Sequence, residues 1–364
     1  MFCKPMVYNP LPLSLYRLGG FAALSLMLGI NGCSTPQNQS TSSSPASSAA
    51  SGATTDTGDR FPSKVRPLVI ATNSVVCDVT RQIAADTVDL KCLIPAGADA
   101  HEYEPKPEDS KAIEQAKLIL YGGYNFEPTL IKLINASSNP APKIAVHELA
   151  VPKPLTFEED GKTEIDPHVF HSAANGVAIA EIIGKNLSQL TPRNASVYAV
   201  NTKKVTDELS QLNTWIKSEI ATIPAAQQKL VTTHDAFGYY SKEYAIPVLG
   251  ALQGISTEEK PTPMRVAELV KAIQVAGVPT IFAEAAINPK LIEAVAKEAN
   301  VKVADQDLFA DGLGEKGSAS ETYQKFFIAN TKTIVEGLGG KYTPFQPKTS
   351  TFPNLRQLAM VSGQ

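Results

Sequence analysis

The residues best suited to chemistry in this 364-residue chain are its five histidines, His101, His147, His168, His171 and His234. Three of them and one acid lie in polar segments from distant parts of the chain: His101 in GADAHEYEP, His168 in IDPHVF, His234 in LVTTHDAF and Asp311 in LFADGLGEKG. Three neutral imidazoles and one carboxylate form a nitrogen-rich ligand set that suits Zn²⁺ and is acceptable to Mn²⁺. HEYEP is not half of a zinc-protease motif, because Pro105 stands where the second histidine would be.

The elements that must position these side chains are predicted from the hydrophobic pattern. Short β-rich apolar runs alternate with helical stretches over residues 66–190, and the alternation returns over residues 225–340. Such alternation is typical of parallel sheets covered by helices. Between the halves, residues 191–224 read as one helix with an apolar face of Val205, Leu209, Leu212, Ile216 and Ile220. We therefore expect an α/β fold of two lobes, each a mostly parallel sheet flanked by helices, joined by one long rigid helix.

This topology gives the candidate side chains a common location. In open α/β sheets, ligands bind beyond the carboxyl ends of the strands. His101 and His168 belong to the first predicted lobe, while His234 and Asp311 belong to the second. A cleft between the two lobes is where the four side chains can meet.

The first 65 residues predict export and attachment to a membrane. Residues 1–32 combine Lys4, Arg17 and no acid with an apolar stretch, which is the pattern of a secretory signal. Cys33 follows as in a bacterial lipobox, so we expect a lipoprotein-type signal and an acylated cysteine. The alternatives are a signal peptide with a chance cysteine and an uncleaved anchor. After Cys33, the segment 33–65 is rich in Ser, Thr and Ala and predicts a flexible tether.

The net charge and the cysteine spacing disfavour a nucleic-acid partner and a thiolate metal site. The net charge of −3 disfavours nucleic acid, because nucleic-acid binders usually carry a basic surplus. Export places Cys77 and Cys92 in an oxidising compartment where a disulfide can form, and two buried free thiols are the alternative. Their spacing lacks the tight pattern of a thiolate metal site. Residues 341–364 have no clear periodicity and are expected to be a surface tail.

Six segments in this order carry a resemblance to a known family: GADAHEYEPKPED, GGYNFEPTLIKLI, DPHVF, TTHDAFGYYSKEY, GISTEEKPTP and FADGLGEKG. The sequence resembles the metal-binding solute-binding proteins of bacterial ABC transporters, the zinc and manganese family that includes several streptococcal adhesins. The resemblance covers essentially all of residues 66–340. It implies a two-lobed receptor, not an enzyme, that is lipid-anchored outside the cytoplasm and delivers Zn²⁺ or Mn²⁺ to a membrane permease driven by an ATPase. We expect a monomer.

Carried over by position, the resemblance implies that the metal ligands are His101, His168, His234 and Asp311. Zinc is favoured over manganese, since His234 stands where many manganese binders have Glu; manganese remains the alternative. Asp166 and Asp235 could orient ligand imidazoles, although Asp166 could equally cap a helix. His171 departs from the family, which more often has an apolar residue there, and we expect it, like His147, to be structural rather than a fifth ligand.

Two other classes compete with a transport receptor. A secreted zinc hydrolase would keep three protein ligands and an open water position, with Glu102 as the base. A surface adhesin is compatible with the tether but gives no reason for the placement of the histidines.

Overall fold

The computed structural model describes residues 66–159, 162–258 and 260–348. The predicted signal peptide, Cys33 and the tether lie outside the described residues, as does the part of the tail from residue 349 onward.

The first lobe is built around a four-stranded parallel sheet with the strand order β2-β1-β3-β4. Its elements are β1 Leu68–Ala71, α1 Ser74–Ala84, β2 Asp89–Cys92, α2 Pro107–Gln115, β3 Leu118–Tyr121, α3 Pro128–Ala136, β4 Lys143–Ala145, α4 Val146–Ala150, β5 Thr156–Glu159, β6 Lys162–Ile165 and α5 Ala173–Leu190. Val69, Ile70 and Ala71 of the central strand are fully buried, as expected where helices cover both faces of a sheet. The hydrophobic pattern did not predict β5 and β6, a short antiparallel hairpin that returns the chain just ahead of His168.

The second lobe repeats the strand–helix alternation with shorter strands. Its elements are β7 Leu230–Thr232, α7 Gly238–Tyr244, β8 Val248–Ala251, α8 Pro263–Ala276, β9 Thr280–Ile281, α9 Lys290–Ala299, β10 Lys302–Val303 and α10 Tyr323–Gly337. β7 pairs with β8 and β9 pairs with β10, both in parallel. The two pairs meet where the Phe282 N–H donates to the Val231 carbonyl at 2.9 Å. This contact brings β9 beside β7, so the ends of both strands point to the same region.

A single helix, α6 Ala195–Ile220, connects the two lobes. The five apolar residues that the spacing places on one face are all buried. The helix begins later than the pattern indicates, because Pro192–Asn194 form a 3₁₀ turn ahead of it. Its 26 residues span about 39 Å, so it joins the lobes as a stiff rod. Within the part of the chain that the structure describes, neither this helix nor any other is long and apolar enough to cross a membrane.

Residues 341–348, here called the C-terminal strap, run along the outside of α6. The Trp215 indole N–H donates to the Thr343 carbonyl at 3.0 Å, and the Phe345 ring lies 5.5 Å from the Trp215 ring. The Thr343 N–H donates to the buried Glu219 carboxylate at 2.7 Å. The strap therefore covers the helix and supplies a buried acid with a partner.

A disulfide joins Cys77 of α1 to Cys92 at the end of β2. It ties the first helix to the strand that leads into the His101 loop. The Arg81 guanidinium lies beside both sulfur atoms, at 3.2 Å from Cys77 Sγ and 3.3 Å from Cys92 Sγ. Of the two alternatives that the sequence left open, the structure has the bridged pair.

Candidate metal centre

The four candidate ligands reach one point from four separate loops. His101 follows β2, His168 precedes α5, His234 follows β7, and Asp311 lies between β10 and α10. All four side chains are buried: the exposed fraction is 4% for His101, 3% for Asp311 and 0% for the other two. A cluster of ionisable groups hidden from water needs partners, because an isolated buried charge is strongly unfavourable. These four residues form the one group within the described ranges that could hold a metal ion.

The ligand atoms are arranged around a common centre. The Nε2 atom of His168 lies 3.1 Å from that of His101 and 3.4 Å from that of His234. The Asp311 Oδ1 atom lies 3.4, 3.3 and 3.2 Å from the Nε2 atoms of His101, His168 and His234, respectively. In a regular tetrahedron, edges of this length place a central ion about 2.0 Å from every corner, which is the usual Zn–N and Zn–O distance.

Asp166 orients the ring of His168. Its Oδ1 atom accepts a hydrogen bond from the His168 Nδ1 atom and another from the His168 main-chain N–H, both at 2.9 Å. With the proton held at Nδ1, the Nε2 lone pair faces the centre of the site. This is the orienting arrangement that metal-binding histidines commonly have.

Glu284 plays the corresponding part for His234, although the sequence did not predict this role. Its Oε2 atom accepts from His234 Nδ1 in a short hydrogen bond, while its Oε1 atom accepts from the N–H groups of Thr233 and His234 at 2.9 and 3.0 Å. The available signal was an acid in FAEAA, just past the end of β9. Asp235, the residue considered for this role, does not occupy the position beside Nδ1, and burial reinforced by the charge of Asp166 raises its pKa to about 6.

The charges in the site favour bound protons when no cation is present. Burial alone lowers the pKa of His234, but the Asp311 and Glu284 carboxylates outweigh it and hold this pKa well above its ordinary value. The pKa of His168 is likewise lowered by burial and raised overall by Asp166 and Asp311. Burial raises the pKa of Asp311, yet the facing histidines bring it well below the usual range. A divalent cation would supply the positive charge that the protons otherwise provide.

The remaining histidines and the alternative base lie apart from the four-ligand group. His147 and His171 are fully buried, and burial, aided by the charge of His168, lowers the pKa of each to about 3. The ring centre of His171 lies 6.3 Å from that of His168, and its Nε2 atom bonds a carbonyl. Glu102 is exposed at the surface.

A cleft of about 880 Å³ adjoins His101. Its walls come from both lobes, with Tyr124, Lys132 and Glu148 on one side and Ile255 and Glu258 on the other. The cleft therefore supplies an approach to the buried cluster at the boundary between the lobes.

Known proteins share both the sequence and the fold. Residues 69–337 match the family model of the periplasmic zinc-uptake complex component A, ZnuA. The manganese ABC transporter substrate-binding lipoprotein PsaA of Streptococcus mitis is 35% identical over 276 residues, which cover 74% of this chain and 88% of that protein. The metal ABC transporter substrate-binding lipoprotein SloC of Streptococcus mutans is 34% identical over 279 residues, covering 74% of this chain and 89% of that protein.

Among solved structures, the periplasmic zinc-binding protein TroA of Treponema pallidum is similar with a TM-score of 0.71 and 30% identity. The match covers 75% of this chain and 99% of TroA. The predicted α/β fold of two lobes joined by a long helix is thereby confirmed.

Proposed function

Because the chain belongs to the ZnuA family of periplasmic zinc-uptake components, we propose that His101, His168, His234 and Asp311 capture Zn²⁺ as transported cargo. As a member of this family, the chain is the substrate-binding component of a metal ABC transporter and not an enzyme. That role implies a membrane permease and its ATPase as partners. The cargo would be held between the lobe of residues 66–190 and the lobe of residues 225–340.

The observation that supports zinc is the size of the ligand cage. Five of the six separations between ligand atoms fall between 3.1 and 3.4 Å, and all four atoms lie within 4.8 Å of one another, which suits a four-coordinate ion at about 2.0 Å. Three of the four ligand atoms are imidazole nitrogens, and nitrogen-rich sites bind Zn²⁺ more tightly than Mn²⁺ in the Irving–Williams order. Four protein ligands also leave no open position for a reactive water, as a carrier site requires.

Manganese is the second candidate, and one feature of Asp311 favours it. The Oδ2 atom of Asp311 is buried and has no hydrogen-bond partner among the described residues. Turning this atom toward the ion would give a bidentate carboxylate and a fifth ligand. Mn²⁺ prefers oxygen ligands and higher coordination numbers than Zn²⁺.

The location follows from the segment ahead of the lobes. We propose that Cys33 is acylated and that residues 33–65 tether a monomeric receptor to the membrane on its extracytoplasmic side. The apolar signal and the Ser/Thr/Ala-rich segment support this arrangement, as do the relatives named as lipoproteins. Radiolabelled palmitate incorporation into the wild-type chain, and its loss in Cys33→Ser, is the expected result.

The test of function is a competition titration of metal-stripped protein with Zn²⁺ and Mn²⁺ against a chromophoric chelator. We expect one zinc per chain, not displaced by a large excess of manganese. Asp311→Ala should lose metal retention, whereas Asp305→Ala, which removes an exposed acid from the same region, should bind as the wild type does. Equal affinity for both metals would move the assignment to manganese or mixed supply. The absence of stoichiometric binding would overturn the proposal, and a retained metal with turnover in Asp311→Ala would favour a hydrolase.

A further inference from the structure

We propose that His171 is a positioning residue for Asp311, acting across the boundary between the lobes. The proposal rests on the proposed function, because Asp311 matters only if it binds the metal. His171 belongs to the 3₁₀ turn Val169–His171 of the first lobe, directly after the ligand His168. Its partner, Ala310, precedes Asp311 in the second lobe.

The contact between them is a buried hydrogen bond. The His171 Nε2–H group donates to the Ala310 carbonyl at 2.8 Å, and the two residues are 139 positions apart in sequence. Holding the carbonyl of residue 310 fixes the peptide plane that leads into Asp311. The direction of the Asp311 side chain is thus coupled to the first lobe.

Asp311 depends on its main chain more than the other ligands do. The rings of His168 and His234 are each oriented by a carboxylate, Asp166 and Glu284, respectively. The Asp311 Oδ2 atom is buried without a hydrogen-bond partner in the described part of the chain, and the Oδ1 atom faces only the three ligand imidazoles, so no neighbouring side chain outside the ligand set orients this carboxylate. Its aim toward the metal must therefore come from how the loop is anchored on either side.

Several hydrogen bonds hold this loop, among them one from the Gly97 N–H to the Leu313 carbonyl at 2.8 Å. On the side of its own lobe, the Asn330 amide accepts from the Phe309 N–H at 2.9 Å and donates to the Phe309 carbonyl at 2.8 Å. Past the ligand, the Ser74 hydroxyl accepts from the Leu313 N–H at 2.9 Å. His171 supplies the anchor nearest to Asp311. It holds the residue directly before Asp311, and it does so from the opposite lobe.

The residues around His171 hold its imidazole ring in one orientation, so the Nε2–H group points at the Ala310 carbonyl. The imidazole is fully buried, and its ring centre lies 4.5 Å from that of Phe237, 5.0 Å from Phe170 and 5.1 Å from Phe326. This aromatic cage leaves little freedom of rotation and keeps the ring neutral. A fifth-ligand role does not fit, because the ligand atoms of the other four residues converge without His171 and its Nε2–H group donates to the Ala310 carbonyl.

The test compares zinc affinity in His171→Leu and His171→Gln by chelator competition at pH 7.5. Leucine fills the cage without a donor, and we expect zinc to dissociate about 10- to 100-fold more readily, the range seen when supporting partners of a ligand are removed. Glutamine can donate to the same carbonyl and should restore affinity to within about threefold. Tyr198→Phe is the control: it removes buried hydrogen bonds, to Thr87 and Thr191, near the start of α6 and away from the loop, and should leave zinc affinity unchanged.

A double-mutant cycle separates positioning from general stability. Asp311→Ala keeps three imidazole ligands, so its weak zinc binding is measured by direct calorimetric titration although the metal is not retained against a chelator. In this background the His171→Leu change should alter the weak affinity less than about twofold, because the residue it positions is gone. The visible spectrum of bound Co²⁺ should also weaken in His171→Leu and recover in His171→Gln, since the tetrahedral shell is restored.

Three results would overturn the inference: wild-type affinity in His171→Leu, an equal loss in the Asp311→Ala background, or no recovery in His171→Gln. If His171→Leu does not fold, His171→Met replaces it in the same cycle. Wild-type protein that binds no metal would instead reject the proposed function itself.

Discussion

Replacing Glu284 by glutamine should reverse the hydrogen bond that sets the tautomer of His234. The glutamine oxygen can still accept from the Thr233 and His234 N–H groups, as Oε1 does now at 2.9 and 3.0 Å. The new NH₂ group, however, meets the Nδ1–H of His234 where Oε2 now accepts its proton. Two facing donors are unfavourable, so the imidazole proton moves to Nε2, which then cannot bind a metal.

The loss of zinc affinity reflects the free energy needed to return the His234 proton from Nε2 to Nδ1 before zinc can bind. Loss of a carboxylate that orients a ligand histidine costs about 10- to 100-fold in metal affinity, or about 1.4 to 2.7 kcal/mol. A second effect has the opposite sign. Glu284 helps to hold the pKa of His234 well above its ordinary value, so removing its charge weakens competition by protons. The loss of zinc affinity in Glu284→Gln relative to the wild type should therefore reach its full size near pH 8.5. It should be smaller at pH 6, where the wild-type site has more protons to release before zinc can bind.

Zinc affinity measured by chelator competition at pH 6 and pH 8.5 tests this reasoning. Glu243→Gln is the control, because it makes the same chemical change in a carboxylate that contacts Asn213 and Lys217 of α6. It should leave both affinities unchanged. Wild-type affinity of Glu284→Gln at pH 8.5 would refute the tautomer argument, and a larger deficit at pH 6 than at pH 8.5 would refute the proton argument.

Three further outcomes are expected. Because the folded protein raises the pKa values of His168 and His234, their bound protons stabilise the metal-free fold at pH values below the ordinary histidine pKa, and this stabilisation is lost as the pH rises through the raised values. Zinc must displace the same protons in order to bind. The difference in Tm between zinc-loaded and metal-free protein should hence grow from pH 6 to pH 8, and calorimetry in buffers of different ionisation enthalpy should detect released protons; a constant difference would contradict this. Cys92→Ser should lower the free energy of unfolding in urea by about 3 kcal/mol, because the bridge closes a 15-residue loop, with zinc affinity unchanged. Truncation after residue 340 should shift Trp215 fluorescence to the red and cost about 1–3 kcal/mol, since Glu219 loses its Thr343 donor while still buried; an unshifted spectrum would show that the strap does not cover the indole.

The strand–helix alternation was enough to predict the sheets and the linking helix. Apolar residues that recur every two residues, or every three to four, mark the buried face of a strand or a helix. Val205 and Leu209 follow the helical spacing and are buried in the structure. The β5–β6 hairpin was missed because its strands, TFEE and KTEI, contain one apolar residue each and therefore carry no hydrophobic pattern. The 3₁₀ turn at Pro192 was missed because its proline also suits the start of an α-helix.

The site could be predicted only in part, for a physical reason. His101, His234 and Asp311 stood out as polar residues after predicted strands, where α/β lobes bind ligands, and His168 as a histidine at the entry to a predicted helix. The family resemblance then joined the four as one ligand set. Glu284 was not, since the chain has 36 acids and nothing in FAEAA distinguishes this one, whereas histidines are few. Its contact with His234 depends on β9 lying beside β7. The contact between His171 and Ala310 spans both lobes and leaves no local pattern in the sequence.

The most direct test of the central claim is zinc K-edge X-ray absorption on the stoichiometric complex of the wild-type chain. We expect four nitrogen or oxygen ligands at about 2.0 Å, with outer-shell scattering from three imidazole rings. Sulfur scattering at about 2.3 Å, or fewer than three imidazoles, would contradict a site formed by His101, His168, His234 and Asp311.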